Sequence, residues 1–410
     1  MYDAVVVGGG PAGAVCAARL AMKGRSVAVV ERERHPRFHL GESLLPNSVG
    51  VLDAVGVLDE VRSRFLVKRG ARFVDGHDDR RAVRYAFAEA LNARWDHAFE
   101  VPRDAFDELL FRHAGRCGAE LREGWEVTAI RREGERAVGV EARAPDGTMH
   151  ALGARFVVDA TGRDALTART SREVERIAHL DRTALYTQVR GAWRDAGERE
   201  GDIQIVVCGD DAQRSWFWLI PFADGRTSVG AVVSSAWVRA HRDGGSEGAE
   251  ALFDSAVREW PTVARMLAGA NRLFAPRATA DFSFSVRRMR GEGWLAIGDA
   301  AGFIDPLFST GAHLAMCGAL RAADAIDQAF AAGDLSPARF EAWEAGMRAG
   351  ADLFLGAVQA FYDGPLVSYL FAEPQHPWLR RAITSLLAGD VFDEDARWAR
   401  EMRTRFPVRA

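Results

Sequence analysis

Cysteine is scarce in this sequence, with four residues in a chain of 410. They lie roughly a hundred residues apart, with no close pair and no histidine at metal-ligand spacing. The pattern predicts neither a disulfide framework nor a bound metal ion. The four positions are Cys16, Cys117, Cys208 and Cys317.

Long apolar runs and a strong charge of one sign are also lacking. No stretch of about 18 uninterrupted apolar residues occurs, which excludes a membrane-spanning helix. The 53 basic and 57 acidic side chains give a net charge of −4, which disfavours broad binding of a phosphate backbone. We expect no nucleic-acid partner and no stable membrane insertion. The first apolar run begins within a few residues of Met1, so we also expect no signal peptide and a cytoplasmic location.

Lysine is nearly absent. Of the 53 basic residues, only Lys23 and Lys68 are lysine, and every other one is arginine. A lysine retained in such a chain indicates a position that needs an amine, although two lysines left by drift would look the same.

The N-terminus has the pattern strand, glycine turn, helix. The apolar run from Ala4 to Val7 precedes GGGPAG at residues 8–13, and a small-residue helix from Ala14 to Met22 follows. Gly8 permits the tight turn, Gly10 lets a pyrophosphate approach the backbone, and Gly13 allows the helix to pack closely on the strand. The pattern predicts a dinucleotide site.

A second strand, Ser26 to Val30, ends at an acidic residue placed to hold a ribose hydroxyl. A glycine-rich turn in an unrelated α/β unit remains the alternative. The predicted dinucleotide ligands of this segment are Gly8, Gly10, Ala12, Gly13 and Glu31.

Two further strands end in turns that carry an aspartate. VVDATG at residues 157–162 contains Asp159, and WLAIGDAAG at residues 294–302 contains Asp299 and leads into a predicted small-residue helix. An acid at such a position accepts a hydrogen bond from a sugar-alcohol hydroxyl, whereas a purely structural turn is the alternative.

Together, GGGPAG, DATG and WLAIGDAAG resemble the glutathione-reductase-type FAD fold of the aromatic hydroxylase and geranylgeranyl reductase superfamily. The resemblance implies that Asp299 binds the ribityl chain, with Asp159 and Gly302 also at the cofactor. It further implies that Arg103, in VPRDAFD at residues 101–107, helps to hold the dinucleotide. A surface arginine in a first helical turn is the alternative for Arg103.

Three more motifs narrow the family: GESLLP at 41–46, WFWLIP at 216–221 and FIDPLFSTG at 303–311. They resemble flavin-dependent halogenases of the non-tryptophan branch, which act on phenols, pyrroles or carrier-bound aromatics. The resemblance covers roughly residues 1–330.

Trp216 and Trp218 lie two apart and would face one side of a strand. Beside a flavin, such a pair would exclude water and block a second nucleotide, whereas ordinary core packing is the alternative.

Asp224 and Gly225, between apolar segments, predict a hairpin turn. A helix opening at Ser309 offers backbone amides as an anion nest, and the resemblance places chloride or bromide at Thr310 and Gly311. An ordinary helix cap is compatible with this.

Lys68 lies in FLVKRGA at residues 65–71, which matches the halogenase segment that bears the essential lysine. An amine can hydrogen-bond hypohalous acid or form a haloamine, whereas a guanidinium is always protonated. A structural lysine is the alternative. Phe308 replaces the glutamate of tryptophan halogenases. Glu42 is a candidate to orient a substrate or an intermediate in its place, and a plain loop acid is the alternative. Asp281 is a candidate for covalent attachment of FAD, by analogy with some relatives.

The predicted organisation is α/β and interleaved. Residues 1–70, 98–170 and 275–330 form a Rossmann-like FAD-binding domain, residues 71–97 and 171–274 a β-sheet substrate domain, and residues 331–410 a short helical segment that covers the pocket. A flexible loop is expected around His241 to Glu250.

The resemblance implies halogenation of a phenol or pyrrole, free or carrier-bound, with FAD, oxygen and chloride or bromide. A separate flavin reductase is expected to supply reduced FAD, because the chain has no second nucleotide fingerprint. The alternatives are a reductase of the geranylgeranyl reductase type, a single-component aromatic monooxygenase, or a flavin-binding scaffold without catalysis.

Overall fold

The protein is described by a computed structural model that covers residues 1–177, 179–210, 213–243, 245, 248–280, 282–393 and 396–409. Asp281 and the middle of the expected loop from His241 to Glu250 lie outside the described residues.

The strands in chain order are β1 (Tyr2–Val7), β2 (Val27–Glu31), β3 (Leu66–Lys68), β4 (Gly70–Asp75), β5 (Ala82–Ala86), β6 (Ala98–Glu100), β7 (Glu120–Glu123), β8 (Glu126–Glu133), β9 (Arg136–Arg143), β10 (Met149–Asp159), β11 (Val174–Arg176), β12 (Arg182–Arg190), β13 (Ile203–Cys208), β14 (Ser215–Pro221), β15 (Arg226–Ser234), β16 (Asn271–Arg272), β17 (Arg277–Ala280), β18 (Phe284–Val286), β19 (Arg290–Gly291), β20 (Trp294–Ala296) and β21 (Gly302–Phe303).

The helices are α1 (Pro11–Met22), α2 (Pro46–Ala54), α3 (Leu58–Arg64), α4 (Arg103–Arg116), α5 (Leu166–Thr170), α6 (Ser235–Asp243), α7 (Gly248–Glu259), α8 (Pro261–Met266), α9 (Thr310–Ala332), α10 (Glu341–Tyr362), α11 (Pro365–Leu370), α12 (Pro377–Leu387) and α13 (Arg397–Arg405). Within the described ranges, no helix combines the length and the apolar character that a bilayer crossing requires.

The first sheet has the strand order β19-β20-β10-β1-β2-β7, and the neighbours from β20 to β7 run parallel. Its central strands are valine-rich and buried on both faces, as is typical of a parallel sheet covered by helices. The alanine-rich helices α1 and α9 pack together in its largest hydrophobic core. This is the predicted Rossmann-like unit, so the predicted fold class is confirmed.

The second sheet has the order β16-β12-β15-β14-β13-β4-β5, and β17 also pairs with β12. Asp224 and Gly225 form the predicted hairpin turn between β14 and β15, with Gly225 at φ +84°. One face packs on the C-terminal helices and the other on α6, α7 and α8. The sheet therefore places one face of β14 under the helical C-terminal segment.

The chain enters the two sheets alternately. Strand β17 lies after the predicted boundary at residues 274 and 275, and it still belongs to the second sheet. Residues 298–301 form a single 3-10 turn followed by β21, and the helix predicted there is wrong. Gly302 at φ +140° takes the backbone out of helical space. The next helix is α9, eight residues further along.

Candidate functional site

In the glycine turn between β1 and α1, neighbouring backbone takes the place of a Cβ at two positions. A Cβ at Gly8 would lie 2.2 Å from the Ala160 oxygen, and a Cβ at Gly13 would lie 1.9 Å from the Gly8 oxygen. Gly10 differs, because its Cβ would meet only the Arg37 Nη2, at 3.4 Å. Gly10 therefore opens onto free space at the N-terminus of a helix, which suits the backbone for a pyrophosphate.

Glu31 ends β2 beside this turn. Its Oε2 accepts a hydrogen bond from the Gly9 amide at 2.7 Å and its Oε1 accepts one from the Glu33 amide at 2.8 Å. The Arg37 guanidinium lies 4.0 Å from Glu31 and 3.7 Å from Glu33, and its Nη2 is the atom nearest to the space above Gly10. A phosphate or ribose in this turn would meet both groups. Sequence reasoning missed Arg37, which only the folded loop brings back to Gly10.

Asp159 is fully buried at the end of β10. One carboxylate oxygen accepts hydrogen bonds from the amide and hydroxyl of Thr161, at 3.1 and 2.6 Å. The other accepts them from the amide and hydroxyl of Thr167, both at 2.7 Å. The carboxylate holds the turn before α5 together, so any help that it gives to a cofactor acts through that turn.

Asp299 is half-buried in the 3-10 turn after β20. Burial raises the pKa of its carboxyl to about 6, and the Arg103 and Arg163 guanidiniums oppose this rise. A Cβ on Gly311 would lie 3.9 Å from the Asp299 Oδ1. The predicted ribityl ligand and the predicted halide site are therefore direct neighbours.

The N-terminus of α9 has the geometry of an anion nest. Ser309 takes the left-handed conformation, with φ +57°, and no side chain caps the helix. The amides of Thr310 and Gly311 thus begin a 23-residue helix with no side-chain acceptor. The helix dipole adds partial positive charge at this position.

Arg103 is buried, so the alternative of a surface arginine is wrong. Its Nε and Nη2 donate to the two oxygens of Asp107 at 2.7 and 3.1 Å. Its Nη1 donates to the carbonyls of Leu40 and Gly41 at 2.6 and 3.2 Å. Arg103 therefore fixes the loop that leads into Glu42.

Lys68 ends β3 and is among the most deeply buried large side chains of the described residues. Its Nζ donates to the Ser43 Oγ at 2.8 Å and to the Leu44 carbonyl at 3.1 Å, and lies 5.3 Å from the centre of the Phe87 ring. Burial lowers the pKa of the amine, while Glu100 and Asp202 raise it. Lys23 differs, because it forms surface ion pairs with Asp324 and Asp327.

Glu42 is buried in the same loop as Ser43. It accepts hydrogen bonds from the Gln188 Nε2 at 3.3 Å and from the Ser228 Oγ at 3.1 Å. Ser228 also accepts one from the Trp218 Nε1 at 3.1 Å. Burial raises the pKa of Glu42 to about 7. The carboxyl thus joins the GESLLP loop to the strand that bears the two tryptophans.

Trp216 and Trp218 lie on one face of β14, as predicted, with ring centres 5.8 Å apart. The Trp216 Nε1 donates to the Tyr362 hydroxyl at 2.9 Å, and that hydroxyl donates to the Asp305 Oδ2 at 3.0 Å. Sequence reasoning missed the role of Asp305, although it lies inside FIDPLFSTG.

The GESLLP loop also reaches helix α9. It leads directly into α2, where the Ser48 Oγ lies 3.0 Å from the His313 Nδ1 on α9. One short segment therefore contacts Lys68 at its beginning and α9 at its end. In the described ranges no group of three histidine, cysteine, aspartate or glutamate side chains is placed to hold a metal ion.

Comparison with known families gives one match that covers most of the chain. The family described as "FAD binding domain" matches residues 1–346. The match takes in the glycine turn, both aspartate turns, the second sheet and the N-terminus of α9.

Comparison with individual proteins gives long matches. The chain is 30% identical over 396 residues to 1H-pyrrole-2-carbonyl-[peptidyl-carrier protein] brominase of Pseudoalteromonas luteoviolacea, covering 96% of this chain and 93% of the brominase. Among solved structures, the flavoprotein/dehydrogenase of Cytophaga hutchinsonii superposes with a TM-score of 0.89 at 30% identity, covering 98% and 96% of the two chains. The flavin-dependent brominase Bmp2 superposes with a TM-score of 0.88 at 27% identity, covering 98% of each chain.

Proposed function

The chain belongs to the flavin-dependent halogenases, and we propose that Lys68 delivers the halogen in this enzyme, to an electron-rich ring that a carrier protein presents. The enzyme halogenates an electron-rich aromatic with reduced FAD, oxygen and chloride or bromide. The relatives favour this activity over the reductase and monooxygenase alternatives.

Reduced FAD, when bound, supplies the electrons with which oxygen and halide give hypohalous acid. In our proposal the glycine turn, Glu31 and Arg37 hold its dinucleotide end. Asp299 receives its ribityl hydroxyls, and Arg103 orders the loop above it. The open space at Gly10 and the Arg37 Nη2 beside it support this placement.

We assign the halide to the amides of Thr310 and Gly311. The uncapped N-terminus of α9 offers donors and partial positive charge to an anion. Because Gly311 lies beside Asp299, a halide there would be next to the cofactor turn. Trp216 and Trp218 would form a large apolar wall that excludes water from the neighbouring space.

The observation that carries the assignment of Lys68 is its buried amine, held by two acceptors, in a chain with one other lysine. A neutral amine has two N–H groups and one lone pair. Ser43 and Leu44 account for the two N–H groups, which leaves the lone pair for hypohalous acid. A buried arginine could not offer a lone pair.

The carrier-bound substrate and the separate reductase are the finer parts of the proposal. The name of the Pseudoalteromonas relative specifies a pyrrole on a peptidyl-carrier protein, and the alignment spans nearly all of both chains. A carrier arm presents its aromatic ring at a high effective concentration, which would suit a site covered by a short C-terminal segment.

The test supplies chemically reduced FAD, oxygen and bromide to the enzyme with matched pyrroles and phenols, each offered free and loaded on a carrier protein. We expect the bromine isotope doublet in mass spectra of the carrier-loaded ring, and no dependence on NADPH. A stronger doublet on the free ring would overturn the carrier assignment. Rapid NADPH oxidation by the enzyme alone would overturn the need for a separate reductase.

A further inference from the structure

Glu100, the last residue of β6, is a buried carboxylate that the proposed mechanism leaves without a role. Its Oε1 accepts a hydrogen bond from the Ser43 Oγ at 3.1 Å. Its Oε2 is also buried, and no described residue offers it a hydrogen bond. A buried polar oxygen without a partner costs free energy, and this carboxylate lies one hydroxyl away from the amine of Lys68.

The hydrogen bonds around Ser43 form a directed path. The Lys68 Nζ donates to the Ser43 Oγ at 2.8 Å, and the same hydroxyl donates its own proton to Glu100. The backbone holds the three groups together, because Lys68 ends the strand that pairs with β6 and Ser43 forms an isolated bridge with Glu100. The path is therefore built from rigid elements.

The other acidic groups that face Glu100 already have partners. Asp202 is paired with Arg84 at 2.6 Å and accepts the Arg69 amide at 3.1 Å. Glu42 accepts hydrogen bonds from Gln188 and Ser228. Among these carboxylates, Glu100 is thus the one that is connected to the amine of Lys68 and that has an oxygen without a hydrogen-bond partner among the described residues.

The electrostatics allow a proton to move along this path. Burial raises the pKa of Glu100 to about 8, against the opposing effects of Lys68 and Ser43, while Asp202 and Glu42 add to the rise. Burial lowers the pKa of Lys68. The pKa values of Glu100 and Lys68 are therefore closer together than those of a free carboxyl and a free amine, and a proton relay between two groups requires such a match.

We propose that Glu100 is a positioning residue that takes a proton from the Lys68 ammonium through the Ser43 hydroxyl. The Nζ–H bond breaks, its proton passes to Ser43, and the hydroxyl proton of Ser43 passes to Glu100. Rotation about the Cε–Nζ bond then turns the freed lone pair away from the Ser43 hydroxyl, so that it can meet hypohalous acid. Ammonium and carboxylate become amine and carboxylic acid, with no oxidation or reduction. The inference rests on the proposed role of Lys68, because the transfer prepares the lone pair that this role needs.

The first test measures the amine without any halogenation. Lysine labelled with 13C at Cε should give two NMR resonances, because the chain has two lysines, and Lys23 serves as an internal reference. In Glu100→Gln we expect the pKa of Lys68 to fall by about one unit, because the ammonium loses its neighbouring carboxylate. The pKa of Lys23 should not change. An unchanged titration of Lys68 would overturn the proposal.

The second test is the pH profile of bromination with chemically reduced FAD. The wild-type rate should rise with pH through the pKa of Glu100, because only the carboxylate accepts the proton. Glu100→Gln and Ser43→Ala should each slow bromination about 100-fold and remove that inflection. Ser43→Thr keeps the hydroxyl and should restore it.

Glu173→Gln is the matched control, because Glu173 is also buried, also has an unpartnered Oε2 among the described residues, and pairs with Arg288. Glu173→Gln should keep the wild-type rate and the wild-type pH profile.

If Glu100→Gln fails to fold, Ser43→Ala alone serves as the test. Wild-type bromination in Glu100→Gln and Ser43→Ala, with Lys68→Met inactive, would overturn the relay and leave the role of Lys68 standing. Bromination by Lys68→Met would instead overturn the role of Lys68.

Discussion

At the residue scale, Lys68 stands apart from Lys23 by its environment. Lys23 forms ion pairs at the surface, whereas the amine of Lys68 is buried against Ser43, Leu44 and the Phe87 ring. The scarcity of lysine directs attention to both positions, and burial distinguishes them.

Lys68→Met should abolish bromination and leave FAD binding intact. Methionine has a similar shape but no nitrogen with a lone pair. The packing should therefore survive, while the amine that delivers the halogen is lost. Bromide incorporation is measured by mass spectrometry and flavin retention by absorbance after gel filtration. Lys23→Met is the matched control and should retain activity. Retained bromination in Lys68→Met would contradict the assignment.

Glu42 should make stability depend on pH. Burial raises the pKa of its carboxyl from the ordinary 4.5 to about 7. The folded protein therefore keeps a proton that the unfolded chain releases between these values, so the contribution of Glu42 to stability falls as pH rises through this window. The shift of this pKa from 4.5 to about 7 corresponds to a change of about 3 kcal/mol in the free energy of unfolding.

Glu42→Gln should remove this contribution. Thermal unfolding of the variant and the wild type at about pH 5 and about pH 7.5 should show a smaller loss of stability in the variant as pH rises. Glu126→Gln, a change on an exposed strand position, is the control. Equal pH dependence in Glu42→Gln and the wild type would contradict the raised pKa.

At the element scale, the glycines of GGGPAG at residues 8–13 have different functions in the unit formed by β1, the turn and α1. Gly8 and Gly13 are required because neighbouring backbone occupies the place of a Cβ. Gly10 has room for a Cβ, and the absence of one lets a cofactor come close to the backbone. The sequence pattern alone does not distinguish these glycines.

Gly10→Ala and Gly13→Ala should therefore fail in different ways. Gly10→Ala should fold normally and bind FAD more weakly, because its methyl group faces the proposed pyrophosphate position. Gly13→Ala should destabilise the apoprotein, because its Cβ would lie 1.9 Å from the Gly8 oxygen. Apoprotein unfolding temperature and FAD titration separate the two effects. Normal FAD affinity in Gly10→Ala would argue against the placement.

At the scale of the whole molecule, Tyr362 ties three distant parts of the chain together. Its hydroxyl connects α10 to Trp216 of the second sheet and to Asp305 of the loop before α9. Arg182 lies over its ring, 3.9 Å from the ring centre. The C-terminal helices are thereby fixed to both motifs of the site.

Tyr362→Phe should lower stability by about 1–3 kcal/mol, because it leaves the buried Trp216 Nε1 and Asp305 Oδ2 without this partner. The shift in unfolding temperature measures the loss. Tyr369→Phe removes a hydroxyl that accepts from Arg405 at the exposed end of α11, and it should change stability little. Equal effects of the two variants would contradict a coupling role for Tyr362.

The sequence by itself determined the features that depend on local geometry. The Rossmann-like fold follows from valine-rich strands and from the glycines of a tight turn, both of which have a short-range steric cause. The helix that begins at Thr310 and the same-face pair of tryptophans follow from chain spacing in the same way. Only the helix expected after Asp299 failed among these, because the positive φ of Gly302 redirects the chain.

The tertiary structure decided which side chains share a hydrogen-bond network. Glu100 and Ser43 are 57 positions apart, and Trp216 and Tyr362 are 146 apart. No local pattern encodes these pairs, because sheet pairing and helix packing bring them together. The same holds for the titration of the site: the raised pKa values of Glu42 and Glu100 come from burial, which is a property of the folded molecule.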